Sequence, residues 1–203
     1  METGRKICLL LILLSLILAL LPLTSNRSFT AKPHALLAGV LSNETSLSVD
    51  QVAEYIVKED STIQLIDLRM PEEFRKQTIP GAVNIPYTDL ISKDPDIWLG
   101  NKDTKSIFYS DNDPEQSFAL VYAKGLGYNN SFVMSGGAGE WVRTIMETRF
   151  TGERITAREN ALFETRRRAG EMYTTLNSLP DSLKAGFLES RKFSAKKLDG
   201  GCE

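Results

Sequence analysis

The side chains that could do chemistry crowd into one stretch. Ile107 to Ser117 reads IFYSDNDPEQS: an apolar run that ends at Ser110, carboxylates at Asp111, Asp113 and Glu115, then the start of an apolar helical pattern. A strand-to-helix turn of this kind presents unpaired backbone N–H groups and the positive end of a helix dipole, which suits a bound anion. Here the turn carries negative side chains instead. A serine acts as a nucleophile only beside a base, and the single histidine, His34, lies in a distant linker-like stretch. Asp113-Pro114-Glu115-Gln116 reads as an N-cap, a proline at N1, an acid at N2 and a glutamine at N3. Acids at a helix start stabilise it by ~0.3–1 kcal/mol each, and the same charges repel an incoming anion. The alternating carboxylates are also those of a calcium-binding loop, but the glycine turn and the distal glutamate are missing. No metal and no cofactor is expected.

Thiol chemistry has few candidates. The 203 residues contain 2 Cys and 1 His, too few for a zinc cluster or a disulfide framework. Cys8 sits in an apolar run. Cys202, in LDGGCE, is either a free tail thiol or a mobile one on a Gly-Gly hinge that carries sulfur or exchanges disulfides. Asp199 and Glu203 beside it work against a reactive thiolate. A formal net charge of -2 gives no support for a nucleic-acid partner.

The elements that position this turn alternate between two periods. Ser48 with Gln51 three places on is a capping box, opening a helix with Val49, Val52, Ile56 and Val57 on one face. IQLIDLR (63–69) reads as a buried strand, PEEFRK as a helical turn with Pro71 first, and GAVNIPY as a second strand. SIFYS is a third strand, and PEQSFALVYAKGLG a helix closed by Gly125 or Gly127. SFVMSGG is a further strand and AGEWVRTIME a further helix. Strands alternating with helices in short units predict an α/β domain with a mainly parallel sheet. Thr156 and Glu159 form a second capping box, opening a long helix to about Asn177. Its apolar set (Leu162, Phe163, Met172, Tyr173 and Leu176) should bury against the domain or a partner. Arg166, Arg167 and Arg168 read as a solvated face, with Glu164 and Glu171 as pairs.

The middle of the chain resembles the rhodanese family. LIDLRMPEEFRKQTIPGAVNIPY is similar to its signature of Asp-x-Arg, a Glu-aromatic pair and Ile-Pro-Gly-Ala-x-Asn-Ile-Pro. LGYNNSFVMSGGAGEW is similar to its closing block. The resemblance covers about residues 47–145 and implies a five-stranded parallel sheet with helices on both faces. Asp67, Arg69, Glu73, Gly81, Ala82, Gly136, Gly137 and Trp141 are then structural motif residues, with Asp67 and Arg69 an ion pair and Trp141 a core anchor. Gln77-Thr78 stands where the family commonly has Gly-His. The family's persulfide-carrying Cys maps onto Ser110, so the loop Ser110, Asp111, Asn112, Asp113, Pro114, Glu115, Gln116, Ser117 is a degenerate active site. Its usual Arg-Ser aligns with Gln116-Ser117, leaving the loop without its cation.

Arg5 and Lys6 precede an apolar run over residues 7–23. It reads as an uncleaved signal anchor, with a cleaved signal peptide as the alternative, and the basic flank keeps that end cytoplasmic. The expected organisation is residues 1–25 as anchor or signal peptide, 26–46 as tether and short helix, 47–150 as the rhodanese-like domain, 151–177 as the C-terminal helix and 178–203 as a polar, flexible tail. The expected function is that of a membrane-tethered, extracytoplasmic pseudoenzyme that binds a protein partner, secreted if the segment is cleaved. The alternative is a sulfane-sulfur or thiol carrier using Cys202.

Overall fold

The computed structural model describes residues 2–20, 29–30, 32, 34, 36, 43–111, 113–149, 156–180, 182–184 and 186. Cys202, and most of the tether and of the polar tail, lie outside the described residues.

Five parallel strands form one sheet: β1 (Ser46–Leu47), β2 (Ile63–Asp67), β3 (Ala82–Asn84), β4 (Lys105–Tyr109) and β5 (Ser131–Met134), in the order β1-β5-β4-β2-β3. All four strand pairs are parallel. A parallel sheet is buried on both faces, so its strands must be apolar on both sides. In β2, Leu65 faces one core and Ile66 the other; in β4, Ile107 and Tyr109 face the first and Phe108 the second.

The helices divide between these faces. Against the first pack α2 (Val49–Val57), α3 (Pro71–Lys76), α7 (Gly137–Trp141) and α8 (Ala157–Asn177). Against the second pack α4 (Tyr87–Ser92), α5 (Asp96–Leu99) and α6 (Asp113–Gly125). The capping boxes at Ser48/Gln51 and Thr156/Glu159 both form. Each satisfies two otherwise orphaned backbone donors. Of the apolar set on α8, Tyr173 and Leu176 are buried and Met172 packs against the first core. Arg166 leaves the solvated face assigned to it and makes a two-bond pair with Asp50 at 2.7 Å, tying α8 to α2. Arg167 pairs with Glu164 and Glu171.

The N-terminal helix α1 spans Glu2–Leu20 and exposes Ile7, Leu10, Leu11, Ile12 and Leu13. Among the described residues no helix is long and apolar enough to cross a membrane. The apolar part of α1 begins only at Ile7, so it rises about 21 Å against a hydrocarbon core of ~30 Å. The membrane segment expected over residues 7–23 is therefore not supported here, and residues 21–23 lie outside the described set.

Two terminal segments dock on the domain. Thr30 N–H donates to Gly125 O at 2.8 Å, and the Phe29 ring meets Tyr122 edge-on. A Cβ on Gly125 would stand 1.9 Å from that Phe29 ring, so this approach needs glycine. Within the stretch the sequence marks as a tail, Lys184 is buried and its ammonium donates to Arg75 O, Lys76 O and Asn177 Oδ1. It caps the carboxyl end of α3 with positive charge, the favoured sign there.

Candidate functional site

β2 and β4 are neighbours with Asp67 in register with Tyr109, so Arg69 and Asp111, just past their carboxyl ends, come together. Asp67 is fully buried and holds Arg69 through two bonds, Nε to Oδ1 at 3.0 Å and Nη2 to Oδ2 at 2.7 Å. Arg69 Nη2 also donates to Gln77 O at 2.8 Å. Burial works against the Arg69 charge, but the hydrogen bonds and charge of Asp67 outweigh it and hold its pKa above the ordinary guanidinium value. The guanidinium lies over the Tyr109 ring. The Tyr109 hydroxyl is buried, and burial pushes its pKa well up.

Asn84 Nδ2 donates to Asp67 O and Arg69 O, fixing the backbone between the ion-paired residues. Gln77-Thr78 is held from α8: Thr78 N–H donates to Asn177 Oδ1 and Asn177 Nδ2 donates to Thr78 O, both at 2.9 Å. Glu73 caps its own helix by accepting the Met70 N–H at 3.3 Å. Gly81 takes a φ of 80°, a turn glycine, and Ala82 behind it is buried.

Ser110 is buried, and its hydroxyl donates to Glu115 Oε2 at 2.6 Å. Its carbonyl accepts the Ala138 N–H at 3.0 Å. The Gly136-Gly137 turn allows this approach: both have positive φ, and a Cβ on Gly137 would stand 2.0 Å from Ser110 O. Trp141, one turn on, is fully buried.

The turn departs from expectation in two respects. Helix α6 starts at Asp113 itself, so Asp113 is not the cap and Pro114 is the second helical residue. The first turn tolerates proline at either place because its N–H groups have no intrahelical partner. Glu115 and Asp111 are engaged with side chains: Glu115 with Ser110, Asp111 with Arg69 Nη1 at 3.4 Å. The loop is also not without a cation. Arg69 reaches it from β2, a long-range placement with no local signal in the sequence. Gln116 is buried, and Asn112 lies outside the described residues.

A cleft of about 150 Å³ opens here, lined by Arg69, Glu73, Tyr87, Ser110, Asp111 and Glu115 among others. Three carboxylates face it with one arginine already paired twice. Burial raises the Asp111 pKa above its ordinary value; Arg69 draws it down, while Glu73 and Asp67 push it further up. Among the described residues no three His, Cys, Asp or Glu side chains come together to hold a metal ion. A buried hydroxyl bonded to a carboxylate, in a cleft of negative potential, disfavours an anionic group.

The model of the rhodanese-like domain family matches residues 48–144. A thiosulfate:glutathione sulfurtransferase of Saccharomyces cerevisiae is 29% identical over 112 residues, which is 50% of this chain and 81% of the relative. Among solved structures, the rhodanese-like domain of an Anabaena protein is 18% identical and covers 56% of this chain and 89% of its own, with a TM-score of 0.45. A single-domain sulfurtransferase of Saccharomyces cerevisiae is 21% identical, covers 51% of this chain and 92% of its own, and has a TM-score of 0.42. Residues 48–144 of this chain form a rhodanese-like domain, related to the sulfurtransferases.

Proposed function

We propose that this domain does not transfer sulfur through its β4–α6 turn and works by binding, as a pseudoenzyme facing the extracytoplasmic side of a membrane. The carrying observation is the 2.6 Å bond from Ser110 to Glu115. By resemblance Ser110 stands where sulfurtransferases of this family hold their cysteine. A persulfide carrier needs a thiolate, and a thiolate needs positive potential to lower its pKa. Ser110 has no sulfur, and the cleft beside it presents Glu73, Asp111 and Glu115. Arg69 cannot supply the missing potential, because Asp67 and Asp111 already offset its charge.

The tethering part of the proposal rests on Arg5 and Lys6 before the apolar run and on the exposed leucines and isoleucines of α1. Retention of the full chain in membranes after carbonate washing supports it. Recovery of a form starting near Asn26 in the soluble fraction would show a cleaved signal peptide instead.

The enzymatic test is thiosulfate-dependent sulfur transfer by the full chain. No rate above a no-protein control is expected. A rate that disappears with Cys202→Ser would replace the binding reading with that of a tail thiol carrier. A rate that survives Cys8→Ser and Cys202→Ser together would overturn the account of the turn.

A further inference from the structure

Around the mouth of the Ser110 cleft the domain exposes large apolar side chains. Met70 lines the cleft and is 55% exposed. Phe118, 59% exposed, stands one turn beyond Glu115 on α6, so the two share a side of that helix. Ile91, 41% exposed, stands one turn beyond Tyr87 on α4, and Tyr87 also lines the cleft. The two helices are neighbours: Tyr122, one turn past Phe118, donates its hydroxyl to Ile91 O at 3.4 Å. Exposed apolar residues scattered singly are ordinary, whereas a group of them around a concave site marks an interaction surface.

The opening they surround is negative. Glu73, Asp111 and Glu115 line it with Arg69. Arg69 is committed to Asp67 by two bonds and to Gln77 O by a third. Glu115 accepts from the neutral Ser110 hydroxyl and Glu73 from the neutral Met70 N–H, so those partners leave both charges in place. Among the described residues no three acids come together to hold a metal ion. The carboxylates act instead as a shared potential that favours a larger, organic cation.

The cleft, at about 150 Å³, has room for one long side chain. We propose that this face docks a protein segment carrying a lysine between apolar residues. The ammonium enters among Glu73, Asp111 and Glu115, the stem lies along Met70 and Tyr87, and the flanking side chains rest on Phe118 and Ile91. A lysine is suited to such a site because its stem packs on apolar surface while its head keeps its charge among polar groups. A free amine would satisfy the carboxylates but leave the apolar rim uncovered. The proposal deepens the binding reading above, and the two fail separately: sulfur transfer decides that reading, and peptide affinity decides this one.

Full-length protein is titrated by calorimetry with three end-blocked pentapeptides: Gly-Leu-Lys-Leu-Gly, the same peptide with norleucine in place of lysine, and Gly-Ser-Lys-Ser-Gly. The first should bind saturably. The norleucine peptide should bind about tenfold more weakly or worse, the weight of one charge-assisted bond. The serine-flanked peptide should lose about fivefold or more with its apolar contacts. Two variants locate the site without removing a core contact, since Phe118 is exposed and Glu115→Gln keeps an oxygen for the Ser110 hydroxyl. Glu115→Gln should weaken both lysine peptides. Phe118→Ser should weaken Gly-Leu-Lys-Leu-Gly and leave Gly-Ser-Lys-Ser-Gly unchanged, a split that general loosening of the fold does not produce. No saturable binding of Gly-Leu-Lys-Leu-Gly, equal binding of the three peptides, or parental affinity for it in either variant would each overturn the proposal.

Discussion

Ser110 and Glu115 close the turn between β4 and α6 upon itself: the serine hydroxyl donates to the carboxylate at 2.6 Å, within a cleft that two further acids line. The positive end of α6 is thereby approached by the chain's own negative groups. The rhodanese-like scaffold is retained around it, and four measurements separate the scaffold's requirements from those of the turn.

Asp67 is buried and doubly bonded to Arg69. Asp67→Ala would leave a buried guanidinium without its principal partner, a loss of about 3–5 kcal/mol. Urea unfolding of the variant measures it. A change below about 1 kcal/mol would show that Asp111 and the Gln77 carbonyl suffice to hold Arg69.

Gly137 combines a φ of 57° with a phantom Cβ only 2.0 Å from Ser110 O. Gly137→Ala should cost more than the ~1–2 kcal/mol of a left-handed non-glycine residue alone, because the Ser110 carbonyl must also shift. Gly139, two residues on, has open space around its would-be Cβ. Gly139→Ala should therefore be neutral or stabilising. Equal losses in the two variants would remove the close approach of this turn to Ser110 from the account.

Much of this scaffold is legible in the sequence because its signals are local. The boxes Ser48/Gln51 and Thr156/Glu159 announce α2 and α8, and the runs at 63–69, 106–110 and 131–137 announce the three central strands, each to within a few residues of its observed ends. β1 is not legible: Ser46–Leu47 is too short to show any period and is a strand only because β5 pairs with it. The helices α4 and α5 follow Pro86 and Pro95 and have four to six residues each, below the length at which a helical face repeats. The ties that build the site are long-range. Arg69 to Asp111, Arg166 to Asp50 and Lys184 to the end of α3 span dozens of residues each, and pattern reading cannot pair charges across that separation.

Asp111 makes a pH prediction of unusual sign. Its carboxyl pKa is raised by burial above the ordinary value of 3.8, so the folded chain binds this proton before the unfolded chain does. Its contribution to stability is then unfavourable above the folded pKa and fades as pH falls through that value toward the unfolded one. Asp111→Asn should match or exceed the parent in stability at neutral pH, and the difference should shrink as pH drops to and below 3.8. Denaturant midpoints across that range test it. A variant that is less stable at neutral pH, with a deficit that closes in acid, would mean that the Arg69 bond outweighs burial.

The most direct measurement of the central claim is sulfur loading at position 110. In a full-length background with Cys8→Ser and Cys202→Ser, Ser110→Cys places a single thiol where the hydroxyl now contacts Glu115. That thiol should ionise above the free value of ~8.5, leaving a few per cent of thiolate or less at neutral pH. Adding Asp111→Asn and Glu115→Gln removes the opposing charges while leaving Arg69 in place. After incubation with thiosulfate, intact mass should show little gain of a sulfur atom on the Ser110→Cys chain and a clear gain on the neutralised one. Equal loading of the two chains would show that the carboxylates do not close this site, and would contradict the account.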